Sequence, residues 1–240
     1  MSKTLAIDTS SFVMGLAVTD GDLTLGEVTT NIKKNHSIRL MPAIDALMKE
    51  VGMKAKELEQ IVVANGPGSY TGVRIGVTTA KTLAWSLQIP VIGVSSLAVM
   101  AQAGRFFNGI VSPILDARRG QVYTGHYASM GMSVEIVEED RLIMLEDWLK
   151  HLENLGEPVL FIGQDVELHR SLIEEKLGDH AHFALGAMAL PRAAELARLG
   201  NDQKNRETTV THTFVPNYIQ LAEAEAKWRA AQQEKDEAHD

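Results

Sequence analysis

Cysteine is absent from this 240-residue chain, and so are long apolar runs. Without cysteine there are no disulfides, thiolate metal sites or cysteine nucleophiles, which is compatible with a reducing compartment. No apolar stretch reaches the roughly 20 residues that span a bilayer. Asp8 also interrupts the N-terminus before the apolar segment of a signal peptide could form. We therefore expect a cytoplasmic protein without membrane contact.

Basic residues are in the minority, since 23 Lys and Arg stand against 31 Asp and Glu and the formal net charge is -8. Such a balance argues against a general electrostatic grip on nucleic-acid phosphates. Hydrophobic residues make up 45% of the chain, enough for one large domain or two small ones. The composition predicts a globular protein whose contact with nucleic acid would be made mainly through a partner.

The first hundred residues have the apolar pattern of an α/β unit. The pattern predicts three short strands in an antiparallel meander, then a helix, a buried strand, a second helix, another strand and a helix capped by Ser95. In chain order, the predicted segments are strands at 5–7, 14–18 and 23–28, a helix at 36–51, a strand at 61–64, a helix at 71–87 and a strand at 91–94.

The second half is less regular but begins with a similar arrangement. A predicted strand at 110–115 ends at Asp116, and the turn 118–120 leads into a strand at 121–127, which is a faint echo of Asp8 after the first strand. The remaining predicted segments are a strand at 136–143, a helix at 145–155, an apolar run at 159–162 and helices at 166–177 and 191–199. Residues 223–240 are rich in acidic side chains and predict a frayed helix or tail.

Residues 66–76 read Gly-Pro-Gly-Ser-Tyr-Thr-Gly-Val-Arg-Ile-Gly and form a glycine-rich turn between a strand and a helix, called the glycine turn below. A turn of this kind can direct backbone N–H groups at an anion. Both standard phosphate patterns fail, because Thr71 replaces the third glycine of a dinucleotide fingerprint and Val73 follows Gly72 where a P-loop needs lysine. A weak nucleotide site and a tight structural turn, with Pro67 presetting one dihedral angle, both remain open.

Small residues recur at every fourth position of the helix at 71–87, namely Gly72, Gly76, Ala80 and Ala84. Each glycine costs a helix about 1 kcal/mol, so close packing along this stripe is expected to offset the cost. The stripe is interpreted either as a contact with the helix at 36–51 or as half of a four-helix contact with another subunit.

Asp8, Thr9 and Ser10 follow the first strand, where actin-like ATPases and sugar kinases place their first phosphate loop. They are a weak candidate for nucleotide binding, and a polar hairpin end is the alternative interpretation. No serine lies in a G-x-S-x-G pattern and there is no cysteine, so no catalytic residue is predicted.

Three histidines, His36, His180 and His182, are candidate metal ligands. His36 begins a helix and has no histidine or carboxylate three or four residues further on. His180 and His182 lie in a segment that reads as a surface loop. The ligand count that a metal needs is not reached, so no metal site is predicted.

Five motifs occur together in this chain: Asp8-Thr9-Ser10, the run 65–76, Ala80-Lys81, Asp-Ala-Arg-Arg-Gly at 116–120 and Pro-Asn-Tyr-Ile at 216–219. In this combination the chain resembles the TsaB family, also called YeaZ. The resemblance implies an α/β fold of the actin-like, Hsp70 and sugar-kinase (ribonuclease H-like) type, with two lobes of which the second is reduced. The implied divisions are an N-terminal lobe at 1–107, a second lobe at 108–190, a C-terminal helix and returning segment at 191–222 and an acidic tail at 223–240.

The TsaB family is similar to TsaD, the catalytic subunit of threonylcarbamoyl transfer to tRNA. TsaD carries a metal-binding His-x-x-x-His, and the resemblance places those two positions on Ser96 and Met100. Neither side chain holds a metal as imidazole does. The resemblance therefore implies a non-catalytic paralogue.

The implied function is that of a partner subunit that binds and activates TsaD, for modification of the adenosine next to the anticodon in tRNAs reading codons that begin with A. TsaE would complete the complex and TsaC would supply threonylcarbamoyl-adenylate, while the subunit alone would form a homodimer. No tightly bound cofactor is expected, and ATP or ADP is the candidate ligand at the interface shared with TsaD. The interface is predicted on Leu40, Ile44, Leu47, Gly72, Val73, Gly76, Ala80 and Ala84.

Two enzymatic alternatives with the same fold remain open. One is an independent weak ATPase, and the other is a metalloprotease-like enzyme. The missing histidine pair and the lack of a second clear phosphate loop argue against them.

Overall fold

The computed structural model describes residues 2–203 and 213–219, which form two mixed sheets flanked by helices. The first sheet contains β1 (Lys3–Asp8), β2 (Val13–Asp20), β3 (Leu23–Asn31), β4 (Gln60–Ala64) and β5 (Val91–Val94), in the spatial order β3-β2-β1-β4-β5. β1, β2 and β3 pair antiparallel, whereas β4 and β5 run parallel to β1. The predicted meander is confirmed.

The second sheet contains β6 (Ile110–Pro113), β7 (Leu115–Arg118), β8 (Gln121–Met130), β9 (Ser133–Met144), β10 (Val159–Ile162) and β11 (Ala181–Phe183). β8 pairs antiparallel with β6, β7 and β9, and β10 lies parallel between β6 and β11. The helices are α1 (His36–Glu50), α2 (Tyr70–Leu87), α3 (Ser96–Ala101), α4 (Leu145–Leu155), α5 (Val166–Leu177) and α6 (Ala193–Gln203).

The second sheet repeats the topology of the first. In the first unit the chain runs through β1, β2, β3, α1, β4, α2 and β5, and in the second through β6, β8, β9, α4, β10, α5 and β11, with the same antiparallel and parallel neighbours. The faint echo in the sequence therefore reflects a duplicated unit. The two units agree with the actin-like fold that the resemblance implied.

Local signals explain where the two long helices of the first unit begin and end. The side chain of Asn35 caps α1 by accepting the N–H of Ser37 at 3.0 Å, and Ser69 caps α2. α2 ends where Gln88 adopts a left-handed conformation, just before Ile89-Pro90. The predicted start of α2 was therefore within one residue of the observed start.

Apolar burial divides the molecule into layers. α1 and α2 cover one face of the first sheet, and α6 covers the opposite face with Ala193, Leu196 and Ala197. α4 and α5 pack on the second sheet around the fully buried Trp148. α6 follows the second sheet in sequence but packs on the first, so the chain returns to its starting layer. No helix among the described residues is both long and apolar enough to cross a membrane.

Two sequence predictions need correction. The segment predicted as one strand at 110–115 consists of the end-to-end strands β6 and β7, because Ile114 leaves the β8 ladder and donates its N–H to Ile162. The predicted surface loop around His180 and His182 contains β11, so His182 lies in a strand. β11 has only three residues, too few for the alternation of apolar and polar side chains that marks a strand in sequence. The lobe boundaries stay predictions, and the tail at 223–240 lies outside the described residues.

Candidate functional site at the glycine turn

The turn after β1, called the aspartate turn below, consists of the buried residues Asp8, Thr9 and Ser10. Oδ1 of Asp8 accepts the N–H of Ser10 at 2.9 Å and its hydroxyl at 2.7 Å. Oδ2 has no hydrogen-bond partner among the described residues. Burial raises the pKa of Asp8, while the hydrogen bonds from Ser10 and the charge of His36 oppose that rise. A role for this turn in nucleotide binding stays a prediction.

The glycine turn packs directly on the aspartate turn. The N–H of Ser69 donates to the carbonyl of Ser10 at 2.8 Å, and the hydroxyl of Thr9 donates to the carbonyl of Gly72 at 2.7 Å. A side chain at Gly68 would overlap the carbonyl oxygen of Ser10, and one at Gly72 would overlap that of Thr9. These glycines therefore permit close approach of two backbones, which favours a tight structural turn over a phosphate cradle.

The C-terminal segment 213–219 lies against the other side of the glycine turn. The N–H of Asn217 donates to the carbonyl of Asn65 at 2.7 Å, and the carbonyl of Asn217 fills the space that a side chain at Gly66 would need. The ring of Tyr218 stacks on that of Tyr70, with 4.9 Å between centroids. The glycine turn is thus held between the aspartate turn and this returning segment.

Phe214 anchors the returning segment in the core of the first sheet. Its ring lies where a side chain at Gly93 would stand, and Lys81 donates to its carbonyl. In the sequence, this segment is marked only by the Pro-Asn-Tyr-Ile motif at 216–219. Its contacts join residues far apart in sequence, so no local periodicity marks them.

The eight residues predicted to form the docking face are buried inside the chain. They are Leu40, Ile44, Leu47, Gly72, Val73, Gly76, Ala80 and Ala84. A side chain at Gly76 would meet Thr9 and Val63, so the glycines of the stripe face the sheet and the aspartate turn, and Ala80 and Ala84 lie in the core that the sheet shares with α1. The residue assignment was therefore wrong, because the stripe serves close packing within the chain.

The outer faces of α1 and α2 carry the side chains that are available to a partner. Large apolar side chains are exposed at Ile38 (71%), Met41 (48%) and Trp85 (58%). Thr78 of α2 is exposed as well. We call these four residues the outer helix face. Partner binding by the helix pair stays a prediction.

A cleft between the two sheets begins next to the aspartate turn, because Ser11, the residue after that turn, lines it. It is lined by Ser11, Phe12, Met100, Leu115, Gln164, Asp165, Ala189 and Pro191. Beside it, Oδ2 of Asp165 accepts the N–H of Asp116 at 2.9 Å, and Nε2 of His169 lies 3.1 Å from Oδ1 of Asp116. Burial raises the pKa of Asp165. Asp116, the echo of Asp8, is therefore engaged in contacts within the second unit.

Ser96 and Met100, the positions on which the resemblance places the metal-binding histidines of TsaD, are both buried. The hydroxyl of Ser96 has no hydrogen-bond partner among the described residues, and the methyl end of Met100 lies where a side chain at Gly163 would stand. Within residues 2–203 and 213–219, no group of three His, Asp or Glu is arranged to hold a metal ion. Nε2 of His36 instead bonds the carbonyl of Ser11 at 2.8 Å.

Two mixed sheets, of five and six strands, that share one order of strands and helices define an α/β protein of the actin-like class. In agreement, component A of the (R)-2-hydroxyglutaryl-CoA dehydratase from Acidaminococcus fermentans has the same fold, with a TM-score of 0.51 at 10% identity over 86% of this chain and 100% of that one. YeaZ from Pseudomonas aeruginosa is more similar, with a TM-score of 0.75 at 27% identity over 91% of this chain and 100% of that one.

Sequence comparisons assign the family within this class. The family model "TsaD: tRNA N6-adenosine threonylcarbamoyltransferase" matches residues 24–228. The tRNA threonylcarbamoyladenosine biosynthesis protein TsaB of Bacillus subtilis is 51% identical over 228 residues, which are 95% of this chain and 98% of that protein. The chain belongs to the family that this model describes and, within it, to the TsaB proteins of tRNA threonylcarbamoyladenosine biosynthesis.

Proposed function

We propose that the chain is a non-catalytic subunit that binds and activates a TsaD-type transferase during threonylcarbamoyl transfer to tRNA. The modified base is the adenosine next to the anticodon in tRNAs that read codons beginning with A. Membership in the TsaB family supports a role in this pathway. The binding and the activation are the parts proposed here.

The outer helix face is the observation that carries the proposal. α1 and α2 bury their small and aliphatic residues against the sheet and leave Ile38, Met41 and Trp85 exposed on the opposite side. Exposed large apolar side chains on one surface are typical of a protein-binding face. We take the transferase as the occupant, because the chain itself matches the family model of that transferase over residues 24–228 and belongs to the same pathway.

The lack of catalysis is supported by the residues at the positions of the TsaD histidines. Ser96 and Met100 are both buried, and neither provides an imidazole ligand. The glycine turn is also closed by backbone contacts with the aspartate turn. The chemistry is therefore assigned to the partner.

The resemblance to the TsaB family supports the remaining partners that we propose. TsaE joins the complex, TsaC supplies threonylcarbamoyl-adenylate, and the isolated subunit uses the outer helix face to form a homodimer. ATP or ADP binds at the interface shared with TsaD. Calorimetric titration of the complex and of each separate subunit with ADP tests this last assignment, because a shared site binds only when both subunits are present.

The central experiment is reconstitution of tRNA modification from TsaC, TsaD and TsaE with and without this chain. Incorporation of labelled threonine into tRNA is the measurement. We expect modification to depend on the chain. Full activity in its absence would refute the role of a required partner.

A further inference from the structure

Three tyrosines meet beside the glycine turn. Tyr70 at the start of α2, Tyr123 of β8 and Tyr218 of the returning segment line one shallow cleft that is open to solvent. Tyr70 and Tyr218 are stacked with an angle of 25° between the rings, and 41% of Tyr70 is exposed. We call this the tyrosine cleft. Its exposed ring offers a flat surface on which another ring can stack.

Three exposed arginines lie within a few residues of the tyrosines that line the cleft. Arg118 and Arg119 form the exposed tip of the β7–β8 hairpin, and Arg118 pairs with Gln121, two residues before Tyr123. Two strand residues span roughly 7 Å, so the backbone of the tip lies close to that of Tyr123. Arg74 is exposed one helical turn after Tyr70.

The backbone at this tip is unusual for arginine. Arg118 and Arg119 have φ angles of 68° and 55°, and Gly120 follows at 74°. Glycine adopts such left-handed conformations freely, whereas other residues rarely do. Placing two long cationic side chains there opposes the local backbone preference, and such departures are concentrated at functional sites.

We propose that the tyrosine cleft and its three arginines form an RNA-contact site. An unpaired base stacks on Tyr70, and neighbouring phosphates are contacted by Arg74 and by the Arg118–Arg119 tip. The inference rests on the proposed function, because it takes the RNA to be the tRNA that the complex modifies. It differs from the expectation that the partner makes the tRNA contact.

The chemistry of the cleft favours RNA over a protein segment. Aromatic rings beside arginines are the combination that binds single-stranded nucleic acid, by stacking on bases and by pairing with phosphates. The cleft is shallow, so a base would stack on the exposed part of Tyr70 at its rim, and the cleft offers no groove that could hold a helix. Because the whole chain has a charge of -8, attraction of RNA phosphates is confined to the arginines near the cleft. Phosphate contacts of this kind weaken as the salt concentration rises.

The test measures the affinity of a fluorescent anticodon stem–loop RNA by anisotropy at several salt concentrations. The protein is the full chain, alone and in complex with TsaD. Arg118→Gly is the most informative variant, because glycine suits the left-handed backbone and the fold is expected to remain at least as stable. We expect weaker RNA binding, with the slope of log affinity against log salt reduced by about one.

Stacking is tested separately at Tyr70. Tyr70→Ala is expected to lower the RNA affinity about tenfold, whereas Tyr70→Phe keeps the ring and should bind like the unmodified chain. Lys150→Ala removes an exposed charge from α4 and serves as the control for net charge. Unchanged affinity in both Arg118→Gly and Tyr70→Ala would overturn the proposal.

Capture of TsaD distinguishes this inference from the proposed function. Trp85 lies fifteen positions after Tyr70 on α2, or roughly 22 Å along the helix axis, so the two surfaces can be altered independently. Loss of RNA binding with intact TsaD capture supports the RNA site. Loss of TsaD capture in Arg118→Gly and Tyr70→Ala, with unchanged RNA binding, would assign the cleft to the protein partner and refute the RNA site. RNA binding that depends on Arg118 in a chain that does not capture TsaD would support the site and contradict the proposed function.

Discussion

Thr9 contacts Gly72 both through its hydroxyl and through its carbonyl oxygen. The hydroxyl of Thr9 donates to the carbonyl of Gly72 at 2.7 Å, while the carbonyl oxygen of Thr9 fills the space that a side chain at position 72 would require. The first glycine of the stripe is therefore a condition for the packing of α2 on the aspartate turn. The same reasoning extends to Gly76, which faces the Thr9 hydroxyl.

Substitution in the stripe should consequently disturb the fold. Gly72→Ala places a carbon against a backbone oxygen that cannot move aside, and we expect the free energy of unfolding to fall by about 2 kcal/mol or more. Gly76→Leu should be more damaging still. Urea denaturation provides the measurement, with the exposed neighbour Thr71→Ala as a control that changes stability by about 0.5 kcal/mol or less. A fully stable Gly76→Leu protein would contradict the placement of the stripe against the sheet.

The buried carboxyl of Asp8 should make stability dependent on pH. Its pKa in the folded protein is raised above the ordinary value of 3.8, so the folded state holds a proton that the unfolded chain has already released. The free energy of unfolding therefore falls as pH rises from the ordinary value through the folded pKa, and this contribution is constant above it. Asp8→Asn should remove this fall.

The pH effect is measured as the difference between the stability curves of the original chain and the variant, which separates Asp8 from other carboxyl groups. Ser10→Ala is a matched second variant. It removes the Ser10 hydroxyl, whose hydrogen bond to Oδ1 lowers the pKa of Asp8 in the original chain. It should extend the fall to higher pH. Parallel curves for the original chain and Asp8→Asn would show that the carboxyl is not perturbed.

The sequence predicted most of the first unit because its signals are local. Strands such as β4 are short, apolar and bounded by turn residues, and α1 and α2 have capping side chains at Asn35 and Ser69. The repeated topology of the second unit was only faintly visible, as Asp116 and its turn. Strand pairing joins residues far apart in sequence, so a local sequence pattern does not indicate which strands are neighbours.

The candidate site was predicted less well, because a stripe of small residues has the same sequence whether it faces a sheet or a partner. Ala80 and Ala84 are fully buried in the core of the first sheet, which only the packing reveals. The tyrosine cleft was missed for a related reason. Tyr70, Tyr123 and Tyr218 come from three distant segments, and none of them has a spacing that marks a site.

Phe214 is expected to hold the returning segment in place. Its ring is buried and packs beside Gly93, so Phe214→Ala should leave a cavity and lower the free energy of unfolding by about 3 kcal/mol. Val215→Ala is the matched control, because its side chain is 68% exposed and its loss should have little effect. Thermal denaturation of both variants checks the prediction. If Phe214→Ala melts at the same temperature as Val215→Ala, the buried ring contributes nothing to stability.

The outer helix face should control binding to TsaD. Trp85→Asp and Met41→Asp place charges on an apolar surface that binding would remove from water, so each is expected to weaken TsaD binding at least tenfold while the fold stays intact. Leu168→Asp is the matched control, because Leu168 is 72% exposed but lies on α5. Affinity capture of TsaD by tagged variants is the measurement, and circular dichroism checks folding. Full capture by a variant that carries both Trp85→Asp and Met41→Asp would place the interface elsewhere on the chain. If activation requires this contact, threonylcarbamoyl transfer in the reconstituted system should fall in parallel with capture.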